Sequence, residues 1–168
     1  MKPVHEEISD LLSTPEDDHF SSPLEARKKA MDFLARREYG LGELVKKLTS
    51  KGFDRDVAEE VVSELSTEGL QSDARFAESF VQSRINQGKG PVRIRLDPTQ
   101  RAQTDAPIEP ALEEARADWH EQAREIRRKK FGRARPADFN EKARQMRFLQ
   151  YRGFEQDHIQ AAVGAADE

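Results

Sequence analysis

The residues best suited to chemistry are concentrated between Arg124 and Phe154. Eleven of them are basic (Arg124, Arg127, Arg128, Lys129, Lys130, Arg133, Arg135, Lys142, Arg144, Arg147, Arg152) against three acidic ones (Glu125, Asp138, Glu141), a net of +8, whereas the 168-residue chain as a whole carries −4. Like charge at that density repels itself, and a polyanionic partner offsets the cost. Phe131, Phe139, Met146, Phe148, Leu149 and Tyr151 interleave with the cations, which marks folded helix rather than a disordered tail. After Pro136, the residues Phe139, Ala143, Met146 and Leu149 share one helical face, and Arg144, Arg147, Phe148 and Tyr151 fall on another. Guanidinium groups beside aromatic rings suit phosphates and unstacked bases, or an acidic groove of a protein. The alternative for Phe148 and Tyr151 is packing against a neighbouring repeat. Arg93 and Arg95 extend the basic surface, as do Arg36, Arg37, Lys46, Lys47 and Lys51. The candidate binding set is therefore Arg127, Arg128, Lys129, Lys130, Arg133, Arg144, Arg147, Tyr151 and Arg152, with Arg93 and Arg95.

Other chemistries lack their residues. No Gly-rich phosphate loop, GxSxG or HExxH occurs, and the carboxylate pairs Glu59-Glu60 and Glu113-Glu114 suit ordinary helix surfaces. The absence of cysteine removes disulfides, thiolate metal sites and a thiol nucleophile. His5, His19, His120 and His158 are scattered without ligand spacing. The expectation is a non-catalytic protein with no cofactor and no metal. No apolar run approaches the roughly 18 residues of a membrane span, and the opening MKPVHEE lacks an apolar signal core. A cytoplasmic location is expected, and nothing points to an obligate dimer, so a monomer is expected.

The elements that must position these residues read as helices throughout. With 36% apolar and 36% charged residues the chain favours extended helical architecture over a thick-cored sandwich. Residues 1–21 carry Glu6, Glu7, Asp10, Glu16, Asp17 and Asp18 against Lys2, and are expected to form a flexible acidic arm. Ser22-Pro23-Leu24-Glu25 opens a first helix, with Ser22 as cap and Glu25 able to return a bond to the cap backbone. That helix is expected to end near Gly40, a second at Gly52 and a third, capped by Asp54, at Gly69. A fourth follows Ser72-Asp73 and stops at Gly88, and Gly90-Pro91 opens a fifth. An acidic helix from Ile108 leads to Asp118-Trp119, where the next begins and runs to Gly132. Arg135-Pro136 starts another that ends at Gly153, and a short last one bears Ile159, Ala162 and Val163.

An internal repeat organises these helices. Leu48, Gly52, Phe53, Ala58 and Val62 share their spacing with Leu149, Gly153, Phe154, Ile159 and Val163, and Ile108 and Leu112 match the last two positions between them. Each unit is three helices, giving repeats over 22–70, 71–117 and 118–168. Such units bury too little alone and pack in series, so an elongated, curved, all-α tandem array is expected. The middle unit is irregular: Pro98, Ala102 and Gln103 stand where Leu, Gly and an aromatic are due. Proline inside a helix costs about 3 kcal/mol, which predicts a shortened fifth helix and an irregular linker near 97–107. Because the flanks stay in register while the apolar pattern vanishes between them, the stretch DPTQRAQTDAP reads as a locally replaced or frame-shifted segment within the repeat.

Several runs carry a family resemblance. FLARREYGLGELVKKLTSKGF, EGLQSDARFAESFVQSRINQGKGPVRIR, REIRRKKFG and KARQMRFLQYRGF resemble the RecX family of bacterial recombination regulators, from about Leu24 to Val163. The specific elements are Arg36-Arg37-Glu38, Asp73-Ala74-Arg75-Phe76, Gly90-Pro91 with Arg93 and Ile94, and the block Arg147–Phe154. The resemblance implies tandem three-helix repeats and a negative modulator of the RecA recombinase. Such a protein binds along the groove of the filament that RecA forms on single-stranded DNA. It inhibits ATP hydrolysis and strand exchange, and limits filament growth. The partners implied are the RecA filament and, more weakly and electrostatically, single- and double-stranded DNA. The alternative is a non-catalytic DNA-binding helical-repeat protein acting through its basic third repeat.

Overall fold

A computed structural model describes residues 19–99 and 106–164. Among these residues the chain is all-α: helices occur from end to end and no strand is present. The acidic arm falls mostly on residues 1–18, outside the described residues. The chain forms two compact units, the first ending at Phe76 and the second starting at Ala77.

In the first unit, Ser22 opens α1 (Pro23–Arg36), its Oγ accepting from the Glu25 N–H at 3.3 Å with Pro23 at the helix start. The Glu25 carboxylate does not return to the cap but faces His19 and Lys28 at 3.5 and 3.6 Å. The helix stops at Arg36, short of Gly40, because Gly40 instead caps α2 (Leu41–Ser50), its N–H donating to Glu43 Oε1 at 3.3 Å. Asp54 holds the cap position of α3 (Arg55–Thr67) without a side-chain cap bond, and its N–H donates to the Phe20 carbonyl at 3.1 Å. The inward faces of these three helices supply a core of Ala26, Ala30, Phe33, Leu44, Val45, Leu48, Ala58, Val61, Val62 and Leu65, joined by Phe53 from the turn between α2 and α3 and closed by Tyr39. The first turn of α4 (Asp73–Asn86) belongs to this unit. There Asp73 Oδ1 accepts from the Leu41 N–H at 2.8 Å, and buried Gln71 donates to the Tyr39 carbonyl at 3.1 Å.

The second unit holds the rest of α4 and then α5 (Pro91–Arg95), α6 (Glu109–Ala115), α7 (Trp119–Phe131), α8 (Phe139–Tyr151) and α9 (Gln156–Gly164). Helix α8 begins at Phe139 rather than at Arg135-Pro136, because Asp138 is the residue that caps it, Oδ1 accepting from the Glu141 N–H at 2.8 Å. Ala123, Leu149, Phe154, Ile159, Ala162 and Val163 form the core between α7, α8 and α9. The repeated spacing has a common backbone cause. Phe53 N–H donates to the Leu48 carbonyl and Phe154 N–H to the Leu149 carbonyl, each at 3.2 Å, closing α2 and α8 with the same turn.

That second turn also receives α5. Gly90 N–H donates to the Arg152 carbonyl at 2.8 Å and Val92 N–H to the Gly153 carbonyl at 2.9 Å, so free amides at the start of α5 find acceptors at the end of α8. The approach requires two residues without side chains: a Cβ on Gly90 would lie 2.5 Å from the Phe154 nitrogen, and one on Gly153 would lie 2.6 Å from the Arg93 nitrogen. Gly153 additionally has φ +94°, a left-handed conformation that disfavours any side chain. Helix α5 is five residues long, and its end is fixed by Asp97, whose carboxylate accepts from Arg84 at 2.8 Å and from the Thr99 hydroxyl. Pro98 and Thr99 are helical; Ala102 and Gln103 lie outside the described residues.

Candidate functional site

The fold divides the basic residues of the third repeat into groups with different chemistry. Helix α7 neutralises much of its own charge: Glu121 lies 3.5 Å from Arg124 and 3.1 Å from Arg128, and Glu125 lies 3.5 Å from Lys129. On α8, Arg144 pairs with Glu141 at 3.3 Å, its guanidinium 5.3 Å from the Phe131 ring centroid. Arg95 is held by two carboxylates, Glu109 at 2.5 Å and Glu155 at 3.2 Å. The hydrogen bond to Glu109 raises its already high pKa, which fixes Arg95 as a permanent, locally compensated cation.

Arg127 does not reach the surface. It is 1% exposed, and Nη1 donates to the carbonyls of Gly132 and Ala134 at 3.4 and 3.3 Å and to Gln145 Oε1 at 3.4 Å. Its guanidinium ties the α7–α8 loop to α8, and Gln145, also buried, passes the contact on to Glu141 at 3.4 Å. An alternating charge pattern on a helix cannot reveal this, because the acceptors are loop carbonyls. Arg93 and Arg152 likewise serve the backbone. Arg93 Nη1 donates to the Tyr151 carbonyl at 2.8 Å while its guanidinium lies 4.7 Å from the Tyr151 ring centroid. Arg152 Nη1 donates to the Gln87 carbonyl at 3.2 Å.

What remains open are Lys130, Arg133 and Arg147, all exposed and with no ion-pair partner among the described residues. Arg135 and Lys142 share that condition, although neither is in the sequence-derived candidate set. Tyr151 is 71% exposed, whereas Phe148 packs edge-on against Phe131 with centroids 5.3 Å apart. The expected apolar stripe on α8 is only partly internal. Leu149 is fully buried, but Phe139 at the other end is 81% exposed.

Two grooves flank α8. One, about 390 Å³, is lined by Lys89, Val92, Arg93, Leu96 and Tyr151 among others. The second, about 450 Å³, runs between α8 and α9 and is lined by Phe139, Lys142, Ala143, Met146, Arg147, Gln150, Gln156 and Gln160.

The fold also joins histidines that the sequence separates. His120 Nε2 lies 3.7 Å from Asp157 Oδ2, and His158 Nε2 lies 3.8 Å from Asp157 Oδ1. The His158 Nδ1, however, accepts a hydrogen bond from the Glu155 N–H at 3.2 Å. In neutral imidazole that places the proton on Nε2, the nitrogen a metal in this cluster needs bare. The cluster is thereby a contact between α7 and α9 that caps the start of α9. Its two helices are 38 residues apart in sequence at these positions, which is why spacing alone gives no sign of it.

With the geometry in place, known proteins supply a family. Models described as the first, second and third three-helix domains of RecX match residues 26–65, 72–101 and 118–163. The regulatory protein RecX of Halorhodospira halophila is 46% identical over 142 residues, spanning 84% of this chain and 88% of that protein. RecX of Pseudomonas savastanoi pv. phaseolicola is 46% identical over 138 residues, spanning 82% and 89%. The crystal structure of RecX from Lactobacillus salivarius superposes with a TM-score of 0.68 at 22% identity, over 84% of this chain and 94% of that one, a likeness of fold. No described helix is long and apolar enough to cross a membrane. Near full-length similarity to named relatives, together with the three matched domains, establishes that this chain belongs to the RecX family of regulatory proteins.

Proposed function

We propose that this chain is a negative regulator of the RecA recombinase, binding the RecA–DNA filament and inhibiting its ATPase, filament growth and strand exchange without catalysing a reaction. The observation that carries this reading is a set of exposed cations without an ion-pair partner among the described residues, Lys130, Arg133 and Arg147, together with exposed Tyr151, in a chain of the RecX family. Cations that lack an internal carboxylate gain most from an anionic partner, and the attraction weakens as salt rises. Arg93, Arg127 and Arg152 support the surface by holding its backbone, while Arg95, Arg128, Lys129 and Arg144 contribute charge that carboxylates already offset. Linked helical modules can make several weak contacts along a periodic partner, which multiplies affinity through effective concentration. Bridging neighbouring protomers would oppose the rearrangements that turnover requires, so inhibition needs no chemistry.

The test is RecA's DNA-dependent ATP hydrolysis on preformed filaments with increasing amounts of this protein. Inhibition at substoichiometric ratios that fades with salt is expected; unchanged hydrolysis at equimolar protein sinks the proposal. A second reading, a plain DNA-binding protein acting through the third repeat, is favoured by the same exposed cations and Tyr151. Binding to naked DNA as tightly as to filaments would select it.

A further inference from the structure

The groove between α8 and α9 differs in kind from the rest of the basic surface. Its floor is apolar, with Phe139 and Met146 seven residues apart on α8, and glutamine amides line the α9 side. Its cations, Lys142 and Arg147, have no ion-pair partner among the described residues, and no carboxylate lines the groove. Other cations of this unit are paired: Arg144 on the same helix with Glu141, and, on α7, Arg128 with Glu121 and Lys129 with Glu125. Phe139 meanwhile leaves 81% of its surface in water. An exposed aromatic ring, an adaptable thioether and two uncompensated charges on one rim together describe a surface that lacks its complement.

We propose that this groove seats an acidic helical segment of the protein partner, with a bulky apolar side chain against Phe139 and Met146 and carboxylates on Lys142 and Arg147. The spacing of Phe139 and Met146 matches the i, i+3 or i+4, i+7 anchors that an amphipathic helix presents to a groove. Nucleic acid fits less well. A phosphate backbone calls for a continuous cationic track, whereas the other open cations, Lys130, Arg133 and Arg135, lie at the end of α7 and in the loop after it. The proposal rests on the filament-binding reading and names where on this chain the protein component of the filament is held.

Three measurements test it. In the first, Phe139 is replaced by the photo-crosslinker p-benzoylphenylalanine and the full chain is irradiated on RecA filaments assembled on single-stranded DNA. An adduct with the RecA polypeptide is expected. Adducts with DNA alone, with a second copy of this chain, or with nothing overturn the proposal. In the second, Lys142→Glu and Arg147→Glu are combined; both side chains are exposed, so folding is spared. The half-inhibitory concentration for RecA's ATPase should rise at least tenfold, and an unchanged value overturns the groove while leaving the filament reading intact. A fluorescein-labelled model helix, with leucines at i, i+3 and i+7 among glutamates, separates the remaining case. Should the wild-type chain ignore filaments yet bind this peptide, and the charge-reversed chain lose it at least tenfold, the filament reading fails and the groove chemistry stands. Equal peptide binding by both chains overturns the groove.

Discussion

Replacing Gly153 with alanine attacks the joint between α5 and α8 at one methyl group. The residue has φ +94°, and in the left-handed region an L side chain costs about 1–2 kcal/mol. The added Cβ would also lie 2.6 Å from the Arg93 nitrogen and 2.9 Å from its Cα. These are main-chain atoms that cannot swing aside, and overpacking of that kind typically costs about 1–3 kcal/mol. Gly153→Ala should therefore destabilise the second unit by about 2–5 kcal/mol, a large part of the 5–15 kcal/mol typical of a domain. For a unit of this size each kcal/mol moves the midpoint by about 4–8 °C, so circular dichroism at 222 nm should show a loss of 8 °C or more. If the two units melt separately, only the transition of the second should move. Gly69→Ala is the control: φ is +78° there, but nothing lies within 4 Å of the added methyl, so only the conformational penalty applies. Were Gly153→Ala no more destabilising than Gly69→Ala, the close contact of α5 with the α8 turn would be refuted.

The Asp97 carboxyl is held down at about 2, because hydrogen bonds from Thr99 and Arg84 outweigh the burial that opposes ionisation. Its contribution is complete above the unfolded value near 3.8 and is lost as pH falls from there through 2, up to about 2 kcal/mol. Urea midpoints between pH 5 and 2.5 should fall less steeply for Asp97→Asn than for wild type, and parallel curves would remove the carboxylate from the account. Arg127→Met should cost on the order of 2–3 kcal/mol by leaving the Gly132 and Ala134 carbonyls without their charged donor, read as a lowered urea midpoint. Lys130→Ala with Arg133→Ala should keep stability within about 1 kcal/mol, as surface changes do, while raising the half-inhibitory concentration against RecA filaments. A destabilised Lys130/Arg133 variant, or a wild-type-like Arg127→Met, would reverse the division made between them.

Much of the fold was legible because helix punctuation is local. Ser22-Pro23, Asp118-Trp119 and the stops at Gly52, Gly69, Gly88 and Gly132 act over three or four residues, within reach of a sequence window. The α8 start was misplaced because Pro136 resembles a first helical residue while Asp138 makes the cap bond. The candidate site was less legible. A run of cations does not show which have partners: Arg95 meets Glu155 across 60 residues, and Arg127 turns inward to loop carbonyls. Phe139 was assigned to an apolar face by periodicity, yet a helix's first turn can project past the core it leads into, and this ring does. Lys142 had no distinguishing neighbour in sequence; only the groove gives it one.

The seam at Gly90 and Gly153 is made of backbone N–H and carbonyl groups, which every residue type but proline supplies in full. Neither dissolved ions nor drift among outward side chains alters an amide or a carbonyl, so this seam is insulated from changes in the charges around it. On the filament-binding proposal, ionic strength would release the partner from the flanking cations without loosening this joint. Descendants of this chain are thus free to repaint the exterior, provided two positions stay bare.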